Sequence, residues 1–106
     1  MDKIIEKLLL FKKERGWGKH HSGSSLAQAV IVEAAELLEL FEWGKKPFIE
    51  DVSGEIADIA IYILYLCDRY GIDFKDAINT KIEYNKIKYP VDINHAEEKG
   101  WKNNDV

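Results

Sequence analysis

Between Leu26 and Trp43 the chain carries no lysine or arginine, yet Glu33, Glu36, Glu39 and Glu42 recur at every third position among Leu, Ile, Val and Ala. On a helix, a three-residue step makes surface neighbours. The four acids therefore form one slanted band on an otherwise apolar rod. Solvated helix faces normally interleave basic residues, because like charges at this spacing repel. A second segment repeats the pattern. Glu55 and Asp58 stand three residues apart, Tyr62 follows one turn later, and no other charge occurs before Asp68. Glu55 and Asp58 lie in a stretch too apolar for an ordinary wet face, where an unpaired carboxylate costs several kcal/mol or takes up a proton. These two segments demand cover for their apolar girth and a counter-charge for their acids.

The rest of the chain frames them as helices. Residues 2–15 form an amphipathic first helix, with Ile4, Ile5, Leu8, Leu9 and Phe11 at helical spacing. A Gly-, Ser- and His-rich break covers 16–25, where Ser24 or Ser22 can cap the next helix. The second helix is expected over 25–43, stopping at Gly44 with Pro47 beyond. The third starts near Asp51 or Ser53 and ends at Tyr70–Gly71. The fourth is capped by Asp73 and runs to about Lys88, before Pro90. Strands fit poorly, since the apolar run Ile56–Cys67 exceeds a usual buried strand. The expectation is an all-α, four-helix protomer over residues 1–92 with a loosely held tail at 93–106. Two helices apolar almost all round are poorly covered by four short helices, so self-association is expected.

Composition narrows the function. A chain of 106 residues forms one domain. The stretch from His21 to Asp68 holds nine acids and two bases, a formal −7 inside a chain whose net charge is −4. An acidic balance argues against sequence-independent nucleic-acid binding, which needs a basic surface. No apolar run reaches the ~18 residues of a membrane span, and the N-terminal stretch is not a signal peptide. A single cysteine, Cys67, allows no internal disulfide, which fits a reducing cytoplasm.

Carboxylates alone select a hard cation: Mg²⁺, Mn²⁺ or Ca²⁺ takes oxygen ligands. Di-iron bundles pair Glu with His three residues on, and zinc takes His or Cys. His20, His21 and His95 all lie outside the second and third helices. Mg²⁺ is therefore the expected ion for Glu33, Glu36, Glu55 and Asp58, with Mn²⁺ as a substitute.

The arrangement Glu33-x-x-Glu36, eighteen residues, then Glu55-x-x-Asp58 resembles the signature of the MazG-like all-α nucleoside triphosphate pyrophosphohydrolases. The surroundings strengthen the likeness. Glu14-Arg15-x-Trp17, His21 and Leu26-Ala27 precede the acids, as in the branch that includes dCTP pyrophosphatase. Glu36-Leu37-x-Glu39-Leu40-Phe41-x-Trp43, Glu55-Ile56-x-Asp58-x-x-Ile61-Tyr62 and Lys81-Ile82-x-x-Asn85-x-x-x-Tyr89-Pro90-Val91 follow in the right order. Gly23-Ser24-Ser25 stand where the family often has Pro-Lys-Asn, and Gly54 where a further Glu is common.

The resemblance implies a protomer that completes its core and active site with further copies of itself, as a dimer or tetramer. It implies cleavage of a (deoxy)nucleoside triphosphate between its α- and β-phosphates, releasing monophosphate and pyrophosphate in the service of the nucleotide pool. Glu33, Glu36, Glu55 and Asp58 would bind Mg²⁺. Trp17, His21, Trp43 and Tyr62 would surround base and sugar, and Lys81 and Asn85 would lie near the phosphates. Glu39, or one of the four acids, would orient or deprotonate the attacking water. Plainer roles stay open: Trp17 and Trp43 as core or interface aromatics, His21 as a solvated histidine, Lys81 on a wet helix face. A non-catalytic nucleotide-sensing or assembly module on the same fold is the competing function.

Overall fold

A computed structural model describes residues 2–91. Four α-helices follow one another: α1 (Asp2–Glu14), α2 (Gly23–Glu39), α3 (Ile49–Tyr70) and α4 (Phe74–Lys88). Short 3₁₀ turns occur at Gly18–His20 and Glu42–Gly44, and no strand occurs among the described residues. The chain divides into one unit ending at Ile72, which holds α1–α3, and a second starting at Asp73, which holds α4. The 93–106 tail expected from sequence lies outside the described residues.

In the first unit, α1 and α3 stop by the same device. Gly16 (φ 65°) and Gly71 (φ 64°) adopt the left-handed conformation that costs glycine least. The amide of Trp17 then reaches back to the Lys12 carbonyl at 3.1 Å, and that of Ile72 to the Cys67 carbonyl at 2.8 Å. Carbonyls that the helix end would orphan are thereby satisfied. The first stop also delivers Trp17 to the end of α1.

Ser22 is the cap of α2. Its hydroxyl accepts from the Ser25 amide at 3.1 Å, so the helix opens at Gly23. Gly23 approaches the Tyr70 hydroxyl so closely that a Cβ there would collide with it. A side chain at this position would therefore have to displace the Tyr70 ring, which is 61% exposed.

Two boundaries differ from the sequence expectation. The second helix ends at Glu39 and not at Trp43. Its last turn tightens, with the Leu40 and Phe41 amides bonding to the Leu37 and Leu38 carbonyls at 3.2 and 3.0 Å. Trp43 then takes φ 62°, followed by Gly44 at φ 70°. The band of acids is thus cut short, because Glu42 falls in the 3₁₀ turn. The third helix starts earlier than expected, at Ile49, since the Phe48 carbonyl already accepts the Asp51 and Val52 amides. Glu50 and Asp51 occupy its first turn, where the helix dipole favours acids, so Asp51 is no cap.

Helix α3 packs against both α1 and α2. Leu26, Leu64, Tyr65 and Cys67 are the buried apolar residues among those described. Full burial of a leucine contributes about 1.5–3 kcal/mol. The Tyr65 hydroxyl donates to the Leu8 carbonyl at 3.0 Å and so ties α3 to α1. Much apolar surface stays uncovered in the single chain, including Ile31 (68% exposed), Leu38 (66%) and Ile49 (81%).

In the second unit, Asp73 caps α4 by accepting from the Asp76 amide at 2.9 Å. No residue of α4 is buried.

Candidate functional site

Helical spacing puts Glu33 on the face of α2 that meets α3, and Glu55 and Asp58 on successive turns of α3. The three come together: each offers a carboxylate oxygen within 4.8 Å of the others. Glu33 and Glu55 are half-buried, whereas Asp58 is exposed in the single chain and is not submerged as its apolar neighbours suggested. One oxygen each of Glu33 and Glu55 is buried without a hydrogen-bond partner among the described residues.

This crowding shows in the acid–base behaviour. The pKa of Glu33 is raised, first because the Glu55 carboxylate lies where it would bond to the protonated form, then by desolvation and by the charges of Glu55 and Asp58. The pKa of Glu36 is raised as well, chiefly by the bond to Glu33 and by its charge. Glu36 thus belongs to the same group, on its exposed side. An oxygen-only donor set with buried, unsatisfied oxygens is what a hard divalent cation fits. Glu39, the last residue of α2, is exposed and not part of this trio.

Beside the acids lies a cavity of about 220 Å³. Leu8 and Phe11 of α1 and Trp17 form one side, and Asp58, Ile61, Tyr62 and Tyr65 of α3 form the other. Asp58 therefore belongs to both features. The aromatic groups are linked: Phe11 meets Trp17 edge-on with centroids 5.2 Å apart, Trp17 lies 6.0 Å from His21, and His21 lies 5.0 Å from Tyr65. The Nδ1 atom of His21 is buried without a partner among the described residues. Burial, then the charges of Lys12 and His20, lower the His21 pKa and favour the neutral ring. Arg15 stacks on Phe11 at 3.7 Å, and Lys12 lies 5.3 Å from the Tyr65 centroid.

Of the residues expected around base and sugar, Trp17 and Tyr62 line this cavity, and His21 lies beside Trp17 and Tyr65 without lining it. Trp43 is elsewhere: it is 93% exposed on its left-handed backbone and does not line the cavity. Lys81 and Asn85 stand on α4, one helical turn apart, with the Lys81 Nζ 4.5 Å from the Tyr84 centroid. Leu8, Phe11 and Tyr65 were not foreseen as site residues. The three- and four-residue spacings Leu8–Phe11 and Ile61–Tyr65 carried that signal, but read alone they indicate only an apolar face.

Residues 29–103 match the MazG-like family. The chain belongs to the MazG-like family. Among relatives, dCTP pyrophosphatase 1 from Bos taurus is 32% identical over 98 residues, covering 81% of this chain and 57% of the relative. The Homo sapiens protein of the same name is 30% identical over 93 residues, covering 78% and 55%. This MazG-like chain thus spans little more than half the length of those relatives. A solved structure of a pyrophosphatase from Archaeoglobus fulgidus superposes with a TM-score of 0.81 at 37% identity, covering 85% of this chain and 92% of that one. No described helix of this MazG-like chain is long and apolar enough to cross a membrane.

Proposed function

We propose that this protein is a divalent-cation-dependent hydrolase that splits a (deoxy)nucleoside triphosphate between its α- and β-phosphates. The observation that carries the reading is Asp58, which is at once a member of the acidic trio and part of the aromatic cavity wall. A flat apolar ligand in the cavity would have its charged end at the carboxylates. The names of the pyrophosphatase relatives support the same chemistry.

Glu33, Glu55 and Asp58, with Glu36 on the open side, would hold Mg²⁺ or Mn²⁺. Held there, such a cation would supply charge screening for the triphosphate, polarisation of the phosphoryl group and a lowered pKa for the attacking water. Trp17 and Tyr62 hold the base by stacking, a contact worth about 1–3 kcal/mol per base. The neutral His21 has a buried ring nitrogen available for a hydrogen bond. Water would add across the α–β anhydride, with Glu39 or one of the four acids orienting it or taking its proton. The products are monophosphate and pyrophosphate. Lys81 and Asn85 of α4 are assigned to the phosphates, since a cation and an amide suit a polyanion.

The uncovered apolar residues Ile31, Leu38 and Ile49 support assembly with further copies, as a dimer or tetramer. An exposed Trp43 suits a base pocket completed by a neighbouring copy. Control of the nucleotide pool in the cytoplasm is the role such an activity serves.

The test is incubation with a panel of ribo- and deoxyribonucleoside triphosphates plus Mg²⁺, with products resolved by phosphorus NMR. Monophosphate and pyrophosphate support the reading. Diphosphate and phosphate, or no turnover of any nucleotide, overturn it; binding without turnover favours the nucleotide-sensing module instead.

A further inference from the structure

We propose that Ser25 is a positioning residue for the aromatic cavity: its hydroxyl seats His21 beside Trp17 and Tyr65. The inference rests on reading that cavity as the place where a nucleotide binds. Its lining residues come from α1, Trp17 and α3, so α2 acts on it only through a neighbour. Half-buried Ser25, in the first turn of α2, supplies that link. Its hydroxyl donates to the His20 carbonyl, five residues back along the chain, at 2.9 Å. The amide in the same peptide unit is that of His21, and it donates to the Gly18 carbonyl at 3.3 Å. Both ends of the planar His20–His21 peptide unit are therefore held. The Ser25 bond is the firmer of the two, since 3.3 Å exceeds the usual N–H···O range of about 2.7–3.2 Å.

This hold matters because the imidazole is not anchored through its own buried nitrogen. The Nδ1 atom has no partner among the described residues. Contact keeps the ring in place, with centroids 6.0 Å from Trp17 and 5.0 Å from Tyr65. Both of those residues line the cavity. The Ser25 hydroxyl also lies 3.0 Å from the Ser22 carbonyl, so its single proton is shared between two acceptors. Loss of the hydroxyl leaves the Ser22 carbonyl with the Leu26 amide at 3.0 Å. It takes from the His20 carbonyl the donor that fixes the peptide unit. With that end released, His21 turns outward, and the Trp17 and Tyr65 rings lose a neighbour.

Two readouts on the full chain separate this role from mere support of α2. The first is the titration of His21, followed by NMR. Burial, then the charges of Lys12 on α1 and of His20, hold its pKa below the ordinary 6.5, and Tyr65 faces it from α3. An imidazole that turns outward escapes these influences, so Ser25→Ala should raise the pKa toward 6.5. The second is calorimetric affinity, with Mg²⁺, for the α,β-methylene analogues of deoxycytidine and deoxyadenosine triphosphate. Ser25→Ala should weaken the tighter of the two by about threefold or more, as loss of one hydrogen bond does. Ser25→Thr keeps the hydroxyl and should preserve both readouts. Ser22→Ala removes the helix cap but not the Ser25–His20 bond, so it should lower the thermal midpoint and move neither readout. An unmoved His21 pKa in Ser25→Ala, or an equal shift in Ser22→Ala, overturns the proposal. Unchanged affinity in Ser25→Ala, where the wild type binds, overturns it too. A wild type that binds neither analogue defeats the reading of the cavity and this inference with it. Binding without turnover of either triphosphate defeats only the hydrolase reading.

Discussion

Helices α3 and α4 follow each other across Gly71 and are held by different physics. Helix α3 buries Leu64, Tyr65 and Cys67 and carries Glu55 and Asp58, without a single base between Ile49 and Asp68. Helix α4 buries nothing and is dressed with local stabilisers: the Asp73 cap, a Glu83–Lys86 pair at 3.0 Å, and Lys86 and Lys88 in its last turn. Exposed pairs and dipole contacts of this kind contribute about 0.2–1 kcal/mol each. In α4, charge placement serves the helix. In α3, the paired acids meet Glu33 of α2 across the helix contact and work against the fold unless a counter-charge such as the proposed cation lies between them.

The sharpest way to break this contrast is to remove one charge from each side. Glu33→Gln should lower turnover by at least about 100-fold, because the donor set loses a ligand. Its thermal midpoint should equal or exceed that of the wild type, because repulsion falls. Wild-type turnover in Glu33→Gln would remove Glu33 from the machinery.

A second effect is pH dependence. Glu33 and Glu36 hold protons more tightly in the folded chain than in the unfolded one. Between the ordinary glutamate range and their raised values, the folded state binds more protons. Their contribution to the stability of the metal-free protein is therefore fully present on the acid side and is lost as pH rises through that window. Mg²⁺ should restore it by favouring the ionised acids. Thermal midpoints from about pH 4 to about pH 8, with chelator or Mg²⁺, read this directly. Glu33→Gln should flatten the chelator curve, and an unchanged slope would mean that other groups set it.

The smallest effects belong to α4 and to the caps. Asp73→Ala and Ser22→Ala should each cost about 1 kcal/mol in denaturant unfolding, and Lys86→Ala less than about 0.5 kcal/mol. A larger loss for Lys86→Ala would mean that α4 is not held by local contacts alone.

What the sequence disclosed follows the same division. The four helices, the Gly71 stop and the Asp73 cap were legible because local residues specify them. The convergence of Glu33, Glu55 and Asp58 was legible because acids without bases at helical spacing are costly unless compensated. The end of α2 was not: no Gly or Pro occurs between Gly23 and Gly44, and a left-handed tryptophan is too rare for pattern rules to anticipate. For the same reason Trp43 was assigned to a helix it does not occupy. The periodicity of α3 indicated that Tyr65 is core, and it is; that it also lines the cavity depends on the packing of α1 against α3, which no local pattern contains.

The central claim is that the acids and the aromatic cavity serve one ligand through Asp58. The most direct measurement is calorimetric binding of a nucleoside triphosphate analogue whose α–β bridging oxygen is a methylene, so that it cannot be cleaved there. Wild type should bind it with Mg²⁺, and affinity should fall at least about tenfold with chelator or in Asp58→Asn. Equal affinity under all three conditions would mean that the acids and the cavity are unconnected, and would contradict the account.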